Sequence, residues 1–262
     1  MDWLVQVQLY LNQRTETLHL AVMLIDRFTW LEKVENNTYQ LLAITAFFVA
    51  TKYIERFPPK LKALCHLTEN AFKPRNVLHF EKTLLRVLDF RMDLALPCHL
   101  VPIIVQNMPN MESAEQDTLR RMGAYFLDIT LSQNQLVGVP GLHRALAIVI
   151  LGRICCLGNW SQADESFQLL KQRLGLESEL KDAELDIKTV IKCLCSSLNQ
   201  TQQYILNPKE RTPPNHKGAY LKYNNQAYNG IARCEQLIQF DFEFFQSCDQ
   251  LNDLVHHLCF TS

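Results

Sequence analysis

The chain has 262 residues, 48% of them apolar, and a formal net charge of −1, enough for one large domain or two of about 100 residues whose cores need no staples. The charge divides as about +2 over residues 1–95, about −2 over 96–207 and about −1 over the remainder, and these near-neutral blocks disfavour nucleic acid as a partner. Eight glycines and ten prolines, the prolines mostly between periodic segments, weigh against a β-sandwich and predict an all-α chain.

The periodicity predicts a short amphipathic helix over 2–11, already on an apolar pattern at Asp2-Trp3-Leu4-Val5 with no capping residue ahead of it, so that it reads as a first helix cut into. No signal-peptide cleavage pattern follows. Thr15 is a candidate N-cap for a second helix reaching about Leu31, with Leu18, Val22, Ile25 and Phe28 on one face. Asn36 and Asn37 break the chain and cap a third, Thr38 to Pro59, that is apolar on nearly every side and so belongs in the middle of a bundle. Its longest uncharged run, Leu41 to Ala50, is half what a membrane span needs. A short turn of helix from Leu61 to Leu67 and a helix opened by Pro74 at its first position and ending near Leu88 complete five helices.

A second series follows: a helix opened by Pro97, then Ser113 to Leu131, Gly141 to Leu157, Gln162 to Leu174 and Glu179 to Leu206. The segment GLHRALAIVILGRICC repeats the character of LLAITAFFVATKYIE at an offset of roughly 100 residues, the mark of a duplicated helical unit. Pro208, Pro213 and Pro214 then open a tail with apolar clusters such as Phe240, Phe242, Phe244 and Phe245, expected to pack along the outside of a domain or to be partly disordered. The nine cysteines, Cys65, Cys98, Cys155, Cys156, Cys193, Cys195, Cys234, Cys248 and Cys259, sit in apolar helical segments without a CxxC pair. They read as small core residues in a reducing compartment, not as zinc ligands or disulfides.

Two charges interrupt apolar lines. Lys52 follows Thr45, Phe48 and Val49 by one or two turns, and Glu81 lies on a line with Val77, Leu84 and Leu88, so each needs a compensating partner. Helices that must pack in one small bundle bring them together, either as an internal salt bridge or at a surfacing edge where the pair bonds the backbone ends of a partner's helix. A partly buried pair adds little stability of its own, which makes recognition a reasonable motive.

These residues, in this order and spacing, resemble a cyclin box, the five-helix module that activates cyclin-dependent kinases. The resemblance rests on Asp2-Trp3-Leu4-Val5, Thr17-Leu18 through Ala21, Leu24-Ile25-Asp26-Arg27-Phe28, Ala50-Thr51-Lys52-Tyr53, Pro58-Pro59, Leu67-Thr68-Glu69-Asn70-Ala71-Phe72, Glu81 and Leu88-Asp89-Phe90. The second block is similar to the second cyclin fold, with Ala124-Tyr125-Phe126-Leu127 as its small-aromatic-leucine segment, and Lys222-Tyr223 with Tyr228-Asn229-Gly230-Ile231-Ala232 is similar to the end of A- and B-type mitotic cyclins. It implies two tandem five-helix domains, 1–95 and 96–207, with short helices in the tail 208–262.

The resemblance also implies a non-catalytic, cofactor-free regulatory subunit of a cyclin-dependent serine/threonine kinase, working in nucleus and cytoplasm in cell-cycle control. Lys52 and Glu81 match the pair that grips the kinase's regulatory helix, and Tyr53, Glu55 and Phe90 match neighbouring contacts, each with packing or a solvated face as the alternative. The implied mechanism is allosteric: the active kinase conformer is bound better than the inactive one, and its regulatory helix is drawn inward until a glutamate pairs with the catalytic lysine. Trp3 and Gln40 match a docking patch for Arg-x-Leu substrates, with Gln6 where an acid usually stands. The arginine that normally bonds the aspartate standing here as Asp26 falls ahead of Met1, so Asp26 is expected to find Arg27, water or another donor.

Nothing supports an enzyme or a metal centre: there is no HExxH and no phosphate-cradling glycine loop, and His256-His257 read as surface residues. The competing readings are a transcription-type adaptor built on the same duplicated unit and a degenerate scaffold that no longer binds a kinase.

Overall fold

The computed structural model describes residues 1–92, 95–157, 160–207, 213–247 and 249–260; Pro208, Cys248 and the side chain of Phe244 lie outside this set. The described backbone is helical throughout, and its contacts divide it into two compact units, Met1–Leu96 and Pro97–Ser262.

The first unit holds five helices: α1 (Asp2–Tyr10), α2 (Thr15–Leu31), α3 (Asn36–Ile54), α4 (Leu61–Leu67) and α5 (Pro74–Val87). The centre is α3, against which α1, α2, α4 and α5 all pack. Every residue from Leu42 to Thr51 is buried, as an all-round apolar helix requires, and Phe47, with no exposed surface, alone contributes about 1.5–3 kcal/mol of burial. Beyond Ile54 the backbone turns extended at Glu55, and Phe57-Pro58-Pro59 prevents continuation because a proline excludes helical geometry at the residue before it.

The ends of these helices differ from the sequence reading. Thr15 is the first helical residue and not the cap; Arg14 holds that position and its own side chain makes no capping bond. The cap comes from 41 residues downstream. One carboxylate oxygen of Glu55, at the end of α3, accepts from the Arg14 amide at 2.8 Å, one of the orphan backbone donors at the start of α2, and also from the Thr17 hydroxyl. Likewise α3 starts at Asn36 behind Glu35 without a side-chain cap. At α5, Pro74 does occupy the first position, and the Lys73 amide donates to Asn76 Oδ1 at 2.9 Å, half of a capping box.

Past α5 the chain closes through two successive left-handed residues, Asp89 (φ 51°) and Phe90 (φ 54°). The Phe90 amide returns to Leu85 O at 2.9 Å and Asp89 to Arg86 O at 3.1 Å, and Arg27 Nη1 ties the turn to α2 through Arg91 O at 2.8 Å. A bulky residue in this region carries about 1–2 kcal/mol of strain.

The second unit repeats the plan with α6 (Pro97–Asn107), α7 (Ser113–Thr130), α8 (Gly141–Leu157), α9 (Trp160–Leu174) and α10 (Glu184–Leu206). Here α8 is central, buried without interruption from Ala145 to Cys155 and contacted by α6, α7, α9 and α10. Gly152 lets α7 approach: a Cβ there would lie 2.6 Å from Leu119 Cδ1. The last long helix begins at Glu184 and not at Glu179, because Leu180 and Ala183 close turns onto Leu176 and Leu180 ahead of it.

The tail is the largest departure from expectation. Its helices α11 (Lys217–Tyr223), α12 (Glu235–Ile238), α13 (Phe242–Ser247) and α14 (Asp249–Phe260) are part of the second unit's core, with Tyr220, Tyr223, Phe242 and Phe245 at most 2% exposed. Between α11 and α12 the Tyr228-Asn229-Gly230 turn uses left-handed backbone at Asn229 (φ 54°) and Gly230 (φ 61°), the conformation these two residue types tolerate best. The tail is ordered because its aromatic residues and one lysine find buried partners in the second unit, which short apolar clusters do not reveal in sequence.

All eight described cysteines are free thiols. Burial pushes Cys156 and Cys259 up to about 11 and Cys155 and Cys195 higher still, so these thiols stay neutral and pack as apolar groups.

Candidate partner-docking site

The packing of α5 on α3 brings Lys52, in the last turn of α3, against Glu81, midway along α5, and the Lys52 ammonium donates to Glu81 Oε1. The two side chains are unequally wet: Lys52 is 42% exposed and Glu81 11%. Glu81 belongs to the buried line with Val77 and Leu84, while the Lys52 stem runs over Phe48, whose ring centroid lies 4.5 Å from the ammonium nitrogen. An ammonium at the C-terminal end of α3 also complements the negative end of the helix dipole. Of its three donors one goes to Glu81, leaving others directed at solvent or at a docked group.

Several open side chains close to this pair in sequence are apolar. Tyr53, next to Lys52, is 53% exposed; Leu78, one turn before Glu81 on α5, is 45% exposed; and Phe57 and Phe90 are more exposed still. This is a half-buried ion pair at a greasy rim, an arrangement suited to gripping the polar end of another element while apolar side chains cover the flanks.

The other sequence-derived residues fall in three places. Phe90 projects from the left-handed turn that closes α5. Glu55 lies at the C-cap of α3, and its carboxylate bonds to the start of α2, to Arg14 and Thr17. Trp3 is half-buried and Gln6 exposed one turn later on α1, while Gln40 is exposed near the start of α3, a helix that α1 touches. For Asp26, the neighbour Arg27 is directed elsewhere, to Arg91 O. Asp26 lies beside Tyr39, whose phenol is pushed up by burial and then by the Asp26 carboxylate.

Sequence reasoning missed the polar contacts that staple the second unit. Lys222 on α11 and Asp128 on α7 form an ion pair at 2.7 Å with both side chains fully buried, and the ammonium lies 5.1 Å from the Tyr223 ring and 5.8 Å from the Tyr228 ring. Burial, then the Asp128 carboxylate, raise the Tyr223 phenol well above its ordinary range. On α8, Arg153 is buried and reaches Glu115 at 3.3 Å. Asp128, standing in the apolar run AYFLDIT, and Arg153, in ALAIVILGRICCL, were the signals available in sequence.

Among the described residues no helix is long and apolar enough to cross a membrane, and no three His, Cys, Asp or Glu side chains are grouped to hold a metal ion.

Residues 1–93 match the model of the cyclin N-terminal domain. The whole chain is similar to the G2/mitotic-specific cyclin-A of Drosophila melanogaster, 27% identical over 258 residues that cover 96% of this chain and 46% of that protein. It is also similar to the G2/mitotic-specific cyclin-B1 of Carassius auratus, 32% identical over 162 residues, 62% of this chain and 40% of that protein. The chain thus spans less than half the length of these curated relatives. A chain in the solved structure of the CAK complex from Chaetomium thermophilum bound to ATP-gamma-S superposes with a TM-score of 0.59 at 15% identity, over 94% of this chain and 73% of that one, a likeness of fold. Residues 1–93 thus match a cyclin N-terminal domain, one mitotic cyclin aligns with almost all of this chain, and the five-helix plan recurs in both units.

Proposed function

We propose that this chain is the regulatory subunit of a cyclin-dependent serine/threonine kinase, active in cell-cycle control, and that the rim around Lys52 and Glu81 is where the kinase docks. The observation that carries this reading is the half-exposed Lys52–Glu81 pair flanked by open apolar side chains. With its cation 42% exposed beside the open Tyr53, the pair has the access that docking needs. The ammonium and carboxylate would bond backbone groups at the end of the kinase's regulatory helix, with Tyr53 and Phe90 covering its flanks. Because the α3–α5 packing holds both charges in place before any partner arrives, the surface has differential affinity for the one kinase conformer that fits it. Differential affinity is all that is required to shift the kinase toward its active state. The chain itself supplies no reacting group.

A role in recruiting Arg-x-Leu substrates through Trp3, Gln6 and Gln40 belongs to the same proposal and is weaker chemically, since Gln6 offers no charge to an arginine. The test is co-purification of a kinase with the wild-type chain and with Lys52→Ala/Glu81→Ala, followed by a phosphotransferase assay. Loss of both bound kinase and activity in a variant that melts like wild type is the expected result; undiminished binding and activity would refute the assignment.

A further inference from the structure

The near-neutral charge of the first unit conceals a local excess. Between residues 60 and 88 there are six lysines and arginines against two acids, Glu69 and Glu81, and Glu81 is buried and bonded to Lys52. On α5 the excess is ordered. Arg75, His79, Lys82 and Arg86 recur at spacings of four, three and four residues, which puts them on one line of a helix, and all four are exposed. That line lies opposite the buried line of Val77, Glu81 and Leu84. No side chain of the four makes a hydrogen bond or ion pair to any described residue, and no acid of α5 shares their face. By contrast the exposed Arg14 and the half-buried Arg120 are each paired locally, to Glu16 and Asp117.

We infer that this stripe is a second interaction surface, bordering the Lys52–Glu81 rim along Leu78, and that its occupant is an acidic segment of a protein partner. The stripe is about 16 Å long at 1.5 Å per residue, the reach of about five extended residues or three helical turns. Two arginines at its ends suit bidentate capture of carboxylates, and Lys82 supplies a point charge between them. A peptide fits better than a nucleic acid strand, because the flank of the stripe toward Glu81 is apolar through Leu78 and half-buried Leu85. A peptide can cover that flank with a leucine or valine, which a phosphodiester backbone cannot.

The test uses the full chain and a fluorescein-labelled twelve-residue peptide of glutamates with two leucines, read by fluorescence anisotropy at low and at physiological salt. Wild type binds it, more weakly as salt rises. Arg75→Glu/Lys82→Glu binds about ten-fold more weakly or worse, Arg75→Gln/Lys82→Gln falls between, and Lys33→Glu, which reverses a charge away from α5, binds as wild type does. Lys52→Ala also binds as wild type, which separates this surface from the kinase rim. Equal binding by wild type and the reversed double variant overturns the proposal. So does tighter binding of a single-stranded oligonucleotide of equal charge that displaces the peptide and depends on the same two residues.

Discussion

A lysine–carboxylate pair joins helices in each unit among the described residues, and the two illustrate how burial alone changes the meaning of the same chemistry. Lys222 and Asp128 are both sealed from water, boxed by Tyr223 and Tyr228, at the junction of α11 with α7. Lys52 and Glu81 meet at an edge, with the lysine almost half in solvent and open aromatic side chains beside it. In the sealed pair each charge must be compensated by protein groups, since neither has water to fall back on. In the edge pair the lysine keeps its hydration when alone and trades it for protein groups when something docks. A pair of the first kind fixes how a chain folds, and a pair of the second kind is free to fix what it binds.

The sharpest way to break this comparison is to remove one partner from each pair. Lys222→Ala removes the buried cation beside the fully buried Asp128 carboxylate, with an expected loss of about 3–5 kcal/mol in urea unfolding, whereas Lys52→Ala, which leaves the slightly exposed Glu81 carboxylate access to water, is expected to cost less, about 1–2 kcal/mol. Replacing both buried partners by apolar residues, Lys222→Met with Asp128→Leu, is expected to recover most of the loss. If the two single variants unfold at the same urea midpoint, the distinction between the pairs fails.

Affinity is expected to invert the order. Lys52→Ala or Glu81→Ala should weaken kinase association by about 2–5 kcal/mol, the range for one member of a desolvated charge pair at an interface. Titration calorimetry on refolded or residual folded Lys222→Ala should give nearly wild-type affinity per folded molecule.

Why the edge pair was legible in sequence and the sealed pair was not follows from where each charge stands. Lys52 and Glu81 lie only 29 residues apart, each in a line otherwise apolar, on helices whose boundaries Pro58-Pro59 and Pro74 mark. Periodicity therefore places both on core-facing edges of adjacent helices. Lys222 and Asp128 are 94 residues apart, and Lys222 sits on a seven-residue helix too short to show a period. The helical blocks themselves were readable because α3 and α8 are apolar on every side. The tail was not, because its order depends on tertiary partners for Tyr220, Lys222 and Tyr223 and not on any local pattern. The ends of helices erred for a similar reason: the cap of α2 is supplied by Glu55, and no window of local sequence contains both.

His216 extends the comparison to a buried group that stays uncharged. Its Nε2 lies 2.7 Å from Thr201 Oγ1, and burial lowers its pKa from the ordinary 6.5 to about 4. The unfolded chain therefore binds a proton between those values that the folded chain does not, so stability falls as pH drops from about 6.5 toward 4 and is flat for this group below that. The full effect is about 3 kcal/mol. His216→Gln should remove this contribution, read as the difference between the two proteins' urea midpoints at pH 7.5 and pH 4.5; parallel midpoints at both pH values would show that the histidine is not what titrates.

The smallest expected effect tests the boundary between folding and binding at Glu55, a carboxylate near the proposed docking rim whose bonds point inward. Glu55→Ala removes the acceptor for the Arg14 amide and the Thr17 hydroxyl and should cost about 1–2 kcal/mol, as loss of a helix N-cap does. Glu55→Gln keeps an acceptor oxygen and loses only the charge at the positive end of α2, with an expected cost of about 0.5 kcal/mol. If Glu55 acts through α2 alone, kinase affinity follows neither change once the fraction folded is accounted for. If instead Glu55→Gln weakens the kinase by ten-fold while barely moving the urea midpoint, the carboxylate faces a partner as well, and the rim extends from Lys52 around the end of α3.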